Sequence, residues 1–337
     1  MKTDISSMSL SELEEYIVSI GEMKYRAEQI FKWVSKGRMS FDEMSGLNKQ
    51  LISKLNENCI IASLEQVKKL TDRDGTVKYL FRLHDGLLIE TVVMQYKHGR
   101  SICISSQAGC LMGCRFCAST LRGKQRDLTA GEMLMQVAYA NRENKISNVV
   151  VMGVGEPLDN YDNLLKFLYN LKDEKGLNIS HRHVSVSTCG IVPKIKALAK
   201  EKLQITLSVS LHAPDNLTRD MIMPVNRKWH VEELIEACKE YMDITHRRIS
   251  FEYTLIDGVN DTDAHAFRLS ELLRGMMCHV NLIPVNKVEE RDFRPSGREK
   301  IERFERILKN RNINVTVRRK LGGEINASCG QLRYNGG

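Results

Sequence analysis

The segment CLMGCRFC, residues 110–117, places three cysteines in a C-x3-C-x2-C arrangement. It follows SICISSQ, residues 101–107, by two residues, and this stretch predicts a buried strand. Three thiolates on one loop can ligate three corners of a four-iron cluster and leave the fourth iron open. The alternatives are chance clustering and a zinc site, but zinc needs a fourth Cys or His nearby. We therefore interpret Cys110, Cys114 and Cys117 as ligands of a [4Fe-4S] cluster.

A strand-then-helix rhythm follows these cysteines. The predicted strands are SNVVVMG (147–153), HVSVSTCG (183–190), QITLSVSLH (204–212), RISFEYTLI (248–256), CHVNLIPVN (278–286) and NINVTVRR (312–319). The predicted helices between them include AGEMLMQVAYA (130–140), NLLKFLYNL (163–171), VEELIEACKEYM (231–242) and AFRLSELLRGM (266–276). With the strand before the cysteines, six or seven parallel βα units result. This pattern predicts an α/β fold, a partial (β/α)6 barrel of the TIM type, whose chemistry lies at the C-terminal ends of its strands.

The residues before the barrel change from helix to strand. Residues 9–57 show helical periodicity, with Ser9 as a predicted N-cap. Strand patterns then run from about 60 to 107, broken by Asp-Gly turns at 74–75 and 85–86. The predicted organisation is a helical accessory domain at 1–58, a β extension or linker at 59–100, the barrel at 101–320 and a C-terminal tail at 321–337.

Composition and charge restrict the class of protein. The 337 residues are 42% hydrophobic and 27% charged, which is ordinary for a folded globular chain. No apolar stretch resembles a signal peptide or reaches the length of a membrane span, so we expect a cytoplasmic protein with no membrane contact. Nine cysteines in such a chain favour metal or catalytic thiols over disulfides. A net charge of +8 suits a polyanionic partner such as a nucleic acid.

The cysteine spacing on a partial barrel resembles the radical S-adenosylmethionine (SAM) enzymes. That resemblance implies that the open iron chelates the amino and carboxylate groups of SAM, and that reduction cleaves SAM to a 5′-deoxyadenosyl radical. The MGVGEP stretch at 152–157 would bring Gly155 and the Glu156 carboxylate to the ammonium group of SAM. A tight strand–helix turn is the alternative for this stretch. A dinucleotide-binding interpretation fails because the third glycine is missing.

Alternation along the strands predicts the lining of the barrel. In HVSVSTCG the valines face one way and Ser187 the other, and in LSVSLHAP Ser210 and His212 oppose the apolar residues. Asn286 ends its strand at a similar height. Each polar residue alone is explained equally well by a cap or turn. Together they predict a pocket for a ribose, an adenine and a sulfonium group.

Glu90 and Cys103 precede the cluster, and the local sequence around them does not assign either residue a catalytic role. Glu90 shares a strand face with Leu88, Val92 and Met94, and a carboxylate in apolar surroundings becomes a better proton acceptor. A charge that protects an exposed edge strand explains Glu90 equally well. Cys103 precedes the cluster by seven residues, and a buried cysteine is most often a small hydrophobic residue.

The motifs together resemble the RlmN family of RNA adenine-C2 methyltransferases, a branch of the radical SAM enzymes. The match covers nearly the whole chain, from YRAEQIFKWV near the N-terminus to INASCGQL at 325–332. Between them it includes SSQAGCLMGCRFCAST, VVVMGVGEPLDN, VSVSTCGIVP, SLHAP, FEYTLIDGVND and NLIPVN. The resemblance implies SAM contacts at Gly155, Glu156, Ser187, Ser210, Leu211, His212 and Asn286.

The resemblance also implies a reaction in two stages that uses two SAM molecules. Cys329 would accept a methyl group as a thiolate, and the radical from a second SAM would remove hydrogen from that S-methyl group. The methylene radical would add to C2 of adenine, and Glu90 would take the C2 proton. Cys103 would then attack the sulfur of Cys329 and release the methylated base, leaving a transient disulfide. Small neighbours and Gly330 predict a mobile tail around Cys329.

The substrates implied are an adenosine in the peptidyl-transferase region of 23S rRNA and, in some family members, one in the tRNA anticodon loop. A reducing protein such as flavodoxin or ferredoxin is implied as electron donor, and a monomer is expected. Basic residues predicted to contact phosphates are HRR at 246–248, RRK at 318–320, Arg122, Lys124 and Arg126.

Cys189 and Ser328 depart from the resemblance, which leads us to expect serine and alanine there. The rival interpretations are an adenine-C8 methyltransferase of the Cfr type, a radical SAM enzyme with a different substrate, and a non-catalytic zinc-binding RNA module.

Overall fold

The computed structural model describes residues 2–97 and 99–333. Its first part contains three helices, α1 (Leu10–Ser19), α2 (Tyr25–Ser35) and α3 (Lys49–Asn58). Ser9 caps α1 as predicted, because its hydroxyl accepts from the Glu12 backbone N–H while its own N–H donates to the Glu12 carboxylate. Two short parallel strands, β1 (Thr3–Asp4) and β2 (Cys59–Ile60), join the two ends of this helical segment.

Four strands follow the helical segment, namely β3 (Glu65–Thr71), β4 (Val77–Arg82), β5 (Leu88–Tyr96) and β6 (Gly99–Cys103). They pair antiparallel in this order, so β5 lies between β4 and β6. The hypothesis that Glu90 protects an edge strand is therefore wrong. Sequence analysis did not single out β3, because its residues are mostly exposed and lack apolar alternation.

Seven parallel strands form the barrel, with β6 as the first. The others are β9 (Ile146–Val151), β10 (Val184–Thr188), β11 (Thr206–Ser210), β12 (Ile249–Leu255), β13 (Cys278–Pro284) and β14 (Val315–Val317). Between β6 and β9, the two-stranded ribbon of β7 (Gln107–Gly109) and β8 (Lys124–Asp127) brackets the cluster loop. The neighbours pair in chain order from β6 to β14, and within the described residues the sheet continues through β5 to β3 without closing.

Helices cross over between successive parallel strands. They are α4 (Ala130–Glu143), α5 (Tyr161–Lys172), α6 (Val192–Lys200), α7 (Asn216–Ile222), α8 (Val231–Thr245), α9 (Asp263–Leu272) and α10 (Arg298–Asn310). With α7 and α8 sharing one crossover, there are six βα crossovers, which confirms the predicted partial (β/α)6 barrel. A continuous apolar core joins the strands, these helices and the N-terminal helices.

None of the helices within residues 2–97 and 99–333 is long and apolar enough to cross a membrane. The predicted tail at 321–337 is described only as far as residue 333, so its last four residues lie outside the described part.

Candidate active site

Cys110, Cys114 and Cys117 line one cavity at the C-terminal ends of the parallel strands. Burial raises the pKa of the Cys110 thiol to about 12 and also raises the pKa values of the other two thiols. Thiols buried in this way gain most from a cation, because a bound metal keeps them as thiolates.

The donor set at this loop fits an iron–sulfur cluster. No three His, Cys, Asp or Glu side chains among the described residues converge on a single metal ion. A four-iron cluster does not need such convergence, because each thiolate binds a different iron. Hydrogen bonds hold the loop in place: the Cys110 N–H donates to the Gly123 carbonyl at 3.1 Å, and the Arg115 N–H donates to the Ile222 carbonyl at 2.9 Å.

Glu156 lines the same cavity, and the residue is only 4% exposed. It accepts from the Leu158 N–H at 3.0 Å and from the Cys189 N–H at 2.7 Å, contacts that fix its orientation. Burial nevertheless raises the pKa of this carboxyl group, since the two amides offset the cost of desolvation only in part. An ammonium group placed here would offset more of that cost.

The glycines of MGVGEP allow close packing of the protein backbone beside the cavity. A Cβ on Gly155 would lie 2.6 Å from the Gln107 side chain, and one on Gly153 would lie 2.6 Å from the Ile104 carbonyl oxygen. Gly155 also has a φ of +110°. Both glycines are therefore required by the close packing of β9 against the segment after β6. Both also line the cluster cavity, and the contact of Gly155 with SAM stays a prediction.

The predicted lining residues Ser187, Ser210, His212 and Asn286 all reach this cavity. The prediction from strand alternation is confirmed for Ser187, which is half-buried between the buried Val186 and Thr188. The side chain of Leu211 does not line the cavity, because it is fully buried in the core. Leu211 could reach a cofactor only through its backbone.

His212 is a neutral imidazole whose donor side is defined by its surroundings. Burial, reinforced by the nearby Arg219 cation, lowers the pKa of His212 to about 3. Its Nδ1 accepts from the Thr254 N–H at 2.9 Å, which leaves Nε2 protonated as a donor. A ring edge contact with Phe116, at 4.9 Å between centroids, also fixes the imidazole.

Two buried charged residues at the barrel were missed by sequence analysis. Arg219 on α7 is fully buried and donates to the carbonyls of Cys189, Ser210 and Leu211, so one guanidinium ties the ends of β10 and β11 together. Nothing in its local sequence signals this role. Glu252 on β12 lines the cavity, and the polar alternation of Ser250, Glu252 and Thr254 along that strand would have identified it.

A second cavity adjoins the first and contains the two predicted catalytic cysteines. Cys103 and Cys329 both line it, and Cys329 also lines the cluster cavity. The residues common to both cavities are Met152, Ile283, Val285, Asn286, Arg318 and Cys329. Burial raises the pKa of the Cys103 thiol to about 12, and the proximity of Cys329 adds to this rise.

Hydrogen bonds hold the tail in place at Cys329 and at the residues after it. The Asn286 amide donates to the Cys329 carbonyl at 3.0 Å, and the Gly330 carbonyl accepts from the Ala118 N–H at 2.8 Å beside the cluster loop. Farther along, the Ser119 hydroxyl donates to the Leu332 carbonyl at 2.8 Å. The tail therefore packs over the cluster cavity, and the prediction of a mobile segment does not describe this conformation.

Glu90 lies outside both cavities, covered by the tail. Glu90 is buried, and its carboxylate contacts Lys78 Nζ at 3.0 Å and accepts from the Arg333 N–H at 2.8 Å. The expected apolar neighbours are present on its strand, with Val92 buried, but sequence analysis missed the lysine partner. Lys78 also donates to the Asn326 carbonyl of the tail at 3.2 Å.

The structure places the basic residues predicted to contact phosphates in different surroundings, and their contacts with RNA stay predictions. Lys124 pairs with Asp127 and Asp159, and Arg126 pairs with Asp85 and Glu132, so both cations are neutralised within the protein. Residues 246–248 directly precede β12 and lie at the opposite end of the strands from the cavities. Of RRK at 318–320, the first residue turns inward, while Arg319 and Lys320 are exposed beside the second cavity.

Comparisons with known proteins agree with this geometry. Residues 104–269 match the family model of the radical SAM superfamily, and residues 3–61 match that of the ribosomal RNA large subunit methyltransferase N-terminal domain. A relative in Lachnospira eligens, named "Probable dual-specificity RNA methyltransferase RlmN", is 52% identical over 98% of this chain and 96% of its own length. A relative of the same name in Clostridium novyi is 51% identical over 98% of both chains.

A solved structure shares the whole fold. The radical SAM methyltransferase from Sphaerobacter thermophilus superposes with a TM-score of 0.95 at 44% identity, covering 98% of this chain and 99% of that one. Sequence relatives and structure thus agree from the N-terminal helices to the tail. The chain belongs to the RlmN family of radical SAM methyltransferases, enzymes that use SAM and a [4Fe-4S] cluster.

Proposed function

We propose that this enzyme methylates C2 of adenine in RNA, at an adenosine in the peptidyl-transferase region of 23S rRNA and at one in the tRNA anticodon loop. The names of the relatives, which specify dual-specificity RNA methyltransferases, support both substrates. The observation that carries the proposal is the position of Cys329. It lies in the wall between a cavity with three cysteines on one loop and a second cavity that contains Cys103.

The first cavity is the cofactor site. Cys110, Cys114 and Cys117 would hold the cluster, and Glu156 would hold the ammonium group of SAM. The neutral His212 and the hydroxyls of Ser187 and Ser210 would contact the other polar groups of SAM. When bound, the cluster and SAM supply the radical that activates an S-methyl group on Cys329, chemistry that side chains cannot perform.

The second cavity suits an adenine that has been turned out of its RNA strand. Met94, Val150 and Met152 provide apolar surface for the faces of a base. The exposed Arg319 and Lys320 lie at its edge, where the phosphates of a bound strand would pass. C2 lies between two ring nitrogens and is too electron-poor to attack a sulfonium methyl group directly, so a carrier of activated carbon is needed between the two cavities.

Cys329 is that carrier, and Cys103 releases the product. The Cys329 thiolate attacks the sulfonium methyl group of SAM, so a sulfur–carbon bond forms as the bond in the donor breaks. The adduct of the activated carbon with C2 would return one electron to the cluster and lose the C2 proton, which leaves a closed-shell thioether. Cys103 then attacks the Cys329 sulfur and the sulfur–carbon bond breaks. The electron pair left on carbon takes a proton to complete the new methyl group. The disulfide between the two cysteines must then be reduced before another cycle.

Glu90 is the group that takes the C2 proton, and this role requires the tail to move. In the present conformation both carboxylate oxygens are engaged, one by Lys78 and one by the Arg333 N–H. The contacts with the tail are a few hydrogen bonds, which a bound RNA can replace. Displacing residues near 333 would open a path from Glu90 to the second cavity.

We further infer that the enzyme acts as a monomer in the cytoplasm with a reducing protein such as flavodoxin or ferredoxin, because the cluster must receive electrons one at a time. The accessory helices at 1–58 and the strands at 59–100 would position the RNA over the barrel at 101–320. The tail at 321–337 would carry the methyl group.

The test is to delete the gene and analyse nucleosides from purified 23S rRNA and tRNA by mass spectrometry. We expect 2-methyladenosine to disappear from both RNAs and to return when the gene is restored. Restoration with Cys329→Ala should not return it. Loss of 8-methyladenosine, or an unchanged nucleoside profile, would contradict the assignment.

A further inference from the structure

Arg318 occupies an unusual place for an arginine, in the wall between the two cavities. It follows β14, the last barrel strand, and its backbone N–H donates to the Leu282 carbonyl of β13 at 2.9 Å. This bond continues the parallel pairing by one residue and directs the side chain into the barrel. The guanidinium then lines both cavities together with Cys329.

The guanidinium contacts one sulfur and one carboxylate through the same nitrogen. Arg318 Nη1 lies 3.6 Å from Cys329 Sγ and 3.7 Å from Glu252 Oε2. The pKa of Arg318 is raised, first by Cys329 and then by Glu252, against the effect of burial. A cation placed between these two groups favours negative charge on both.

Glu252 is held in a way that reserves one oxygen for Arg318. Its Oε1 accepts from Ser208 at 2.6 Å, Asn281 at 2.9 Å and Ser250 at 3.2 Å. Its Oε2 is buried and has no hydrogen-bond partner among the described residues. Since three bonds fix the carboxylate, the remaining oxygen holds the Arg318 guanidinium by charge at a constant place in the barrel.

We propose that Arg318, anchored by Glu252, is the positioning residue that stabilises Cys329 as a thiolate for methyl acceptance. This inference rests on the proposed function, in which Cys329 is the methyl acceptor. A guanidinium within reach of a cysteine sulfur favours the thiolate, the form that attacks carbon. Cys103 and Cys117 also lie near Cys329, and as thiolates they would oppose its ionisation. Tyr96 hydrogen-bonds with Arg318 as well and so shares its charge with Cys329 and Glu252.

The same contact changes when the sulfur is methylated. A thioether has no charge to share, so Arg318 Nη1 would turn to Glu252 Oε2, which lacks a hydrogen-bond donor. The methylated tail would then be held less strongly at this point, and the S-methyl group would be free to approach the adenine.

The experiment measures the reactivity of the Cys329 thiol directly. The protein is purified from iron-depleted cells, loaded with its cluster and kept free of SAM. It is then treated anaerobically with iodoacetamide between pH 6 and pH 10. Alkylation of the peptide that contains Cys329 is followed by mass spectrometry. The variants are Arg318→Met, Arg318→Lys and, as a matched control, Arg306→Met, which changes an exposed arginine on α10.

We expect Arg318→Met to slow alkylation at pH 7 by about tenfold, the usual effect of losing one charge-assisted hydrogen bond. The difference should vanish near pH 10, where the thiol ionises without help. Arg318→Lys should recover most of the rate, and Arg306→Met should match the wild type. Equal rates at pH 7, or a deficit that persists to pH 10, would overturn the proposal. If Arg318→Met does not fold, Arg318→Gln decides by the same curves.

A separate measurement distinguishes failure of this inference from failure of the proposed function. Wild-type enzyme is incubated with SAM, and the Cys329 peptide is examined for an added methyl group. Absence of the methyl group counts against Cys329 as carrier, whereas the alkylation curves test only the effect of Arg318 on the sulfur.

Discussion

The backbone N–H of Arg333 donates to the Glu90 carboxylate across 2.8 Å, so the tail that carries Cys329 also covers the carboxylate predicted to take the C2 proton. Lys78 strengthens this link, because it contacts Glu90 at 3.0 Å and donates to the Asn326 carbonyl at 3.2 Å. Base and carrier are thus held by one set of contacts. RNA binding must loosen the end of the tail without removing Cys329 from the wall between the cavities.

Replacing the resolving thiol should trap the enzyme on its substrate. In Cys103→Ala, nothing can attack the Cys329 sulfur, so the bond from Cys329 to the RNA base should persist. Denaturing gels should show a protein–RNA adduct, and mass spectrometry should locate it at Cys329. The double variant Cys103→Ala/Cys329→Ala should form none. Cys238→Ala, which removes a fully buried thiol on α8, is the control. Free turnover by Cys103→Ala would contradict the resolving role.

Removing the proposed proton acceptor should stop the reaction after Cys329 has been methylated. Glu90→Gln keeps an acceptor for the Arg333 N–H but loses the base, and we expect 2-methyladenosine formation to fall by about a hundredfold or more. Methylation of Cys329 should continue, since Glu90 lies outside the cofactor cavity. Nucleoside and peptide mass spectrometry measure the two steps separately. Glu65→Gln, on the exposed strand β3, serves as control. A normal rate in Glu90→Gln would exclude Glu90 as the base.

We predict that Glu156 contacts the amino group of SAM and no other part of the SAM molecule. We expect Glu156→Gln to weaken SAM binding to the cluster-loaded enzyme by about tenfold or more, because a charged partner is lost. Binding of 5′-methylthioadenosine, which lacks the amino acid portion, should change little. Equilibrium dialysis measures both ligands. An equal loss for the two ligands would show that the substitution had disturbed the cavity itself.

Substitution of Gly155, the residue before Glu156, should destabilise the folded protein. A Cβ at Gly155 would lie 2.6 Å from Gln107 at a φ of +110°, so Gly155→Ala should lower the free energy of unfolding by about 1–3 kcal/mol. Gly258→Ala has a φ of +70° and open space around its Cβ, and it should cost about 1 kcal/mol. Urea unfolding without SAM provides the comparison. Equal losses would mean that contact with Gln107 is not the cause.

His212 should make the fold sensitive to acid. Its pKa is about 3 in the folded protein, against an ordinary value of 6.5. Between these values the unfolded chain binds a proton that the folded chain excludes, so stability falls as pH falls from 6.5 towards 3. His212→Gln should reduce the loss of stability between pH 7 and pH 5. Urea midpoints at the two pH values test this, and an identical loss in the variant would show that His212 is ionised in the fold.

Much of the site followed from local pattern. Cys110, Cys114 and Cys117 are close in sequence, so their meeting does not depend on distant contacts. Alternation along β10 and β11 correctly predicted that Ser187 and Ser210 face the barrel interior, because neighbouring side chains on a strand point to opposite faces. The same argument applied to β12 would have found Glu252.

Other features had no local signal. Arg219 looks like any helical arginine, and its burial depends on carbonyls from two strands that only the folded barrel brings together. Lys124 and Arg126 were predicted to contact phosphates, yet their partners Asp159 and Asp85 are more than thirty residues away. Charge along a sequence does not reveal which carboxylates will face it after folding.

The sequence by itself determined the βα order, the cluster loop and the resemblance that connects Cys329 with Cys103, because these depend on residue type and spacing over short distances. Only the tertiary structure decided that Cys329 lies between two cavities, that Arg318 Nη1 faces both its sulfur and Glu252, and that Glu90 is covered by the tail. These relationships join residues separated by eleven to more than two hundred positions. They exist because parallel strands end at one edge, where the chain returns to close the site.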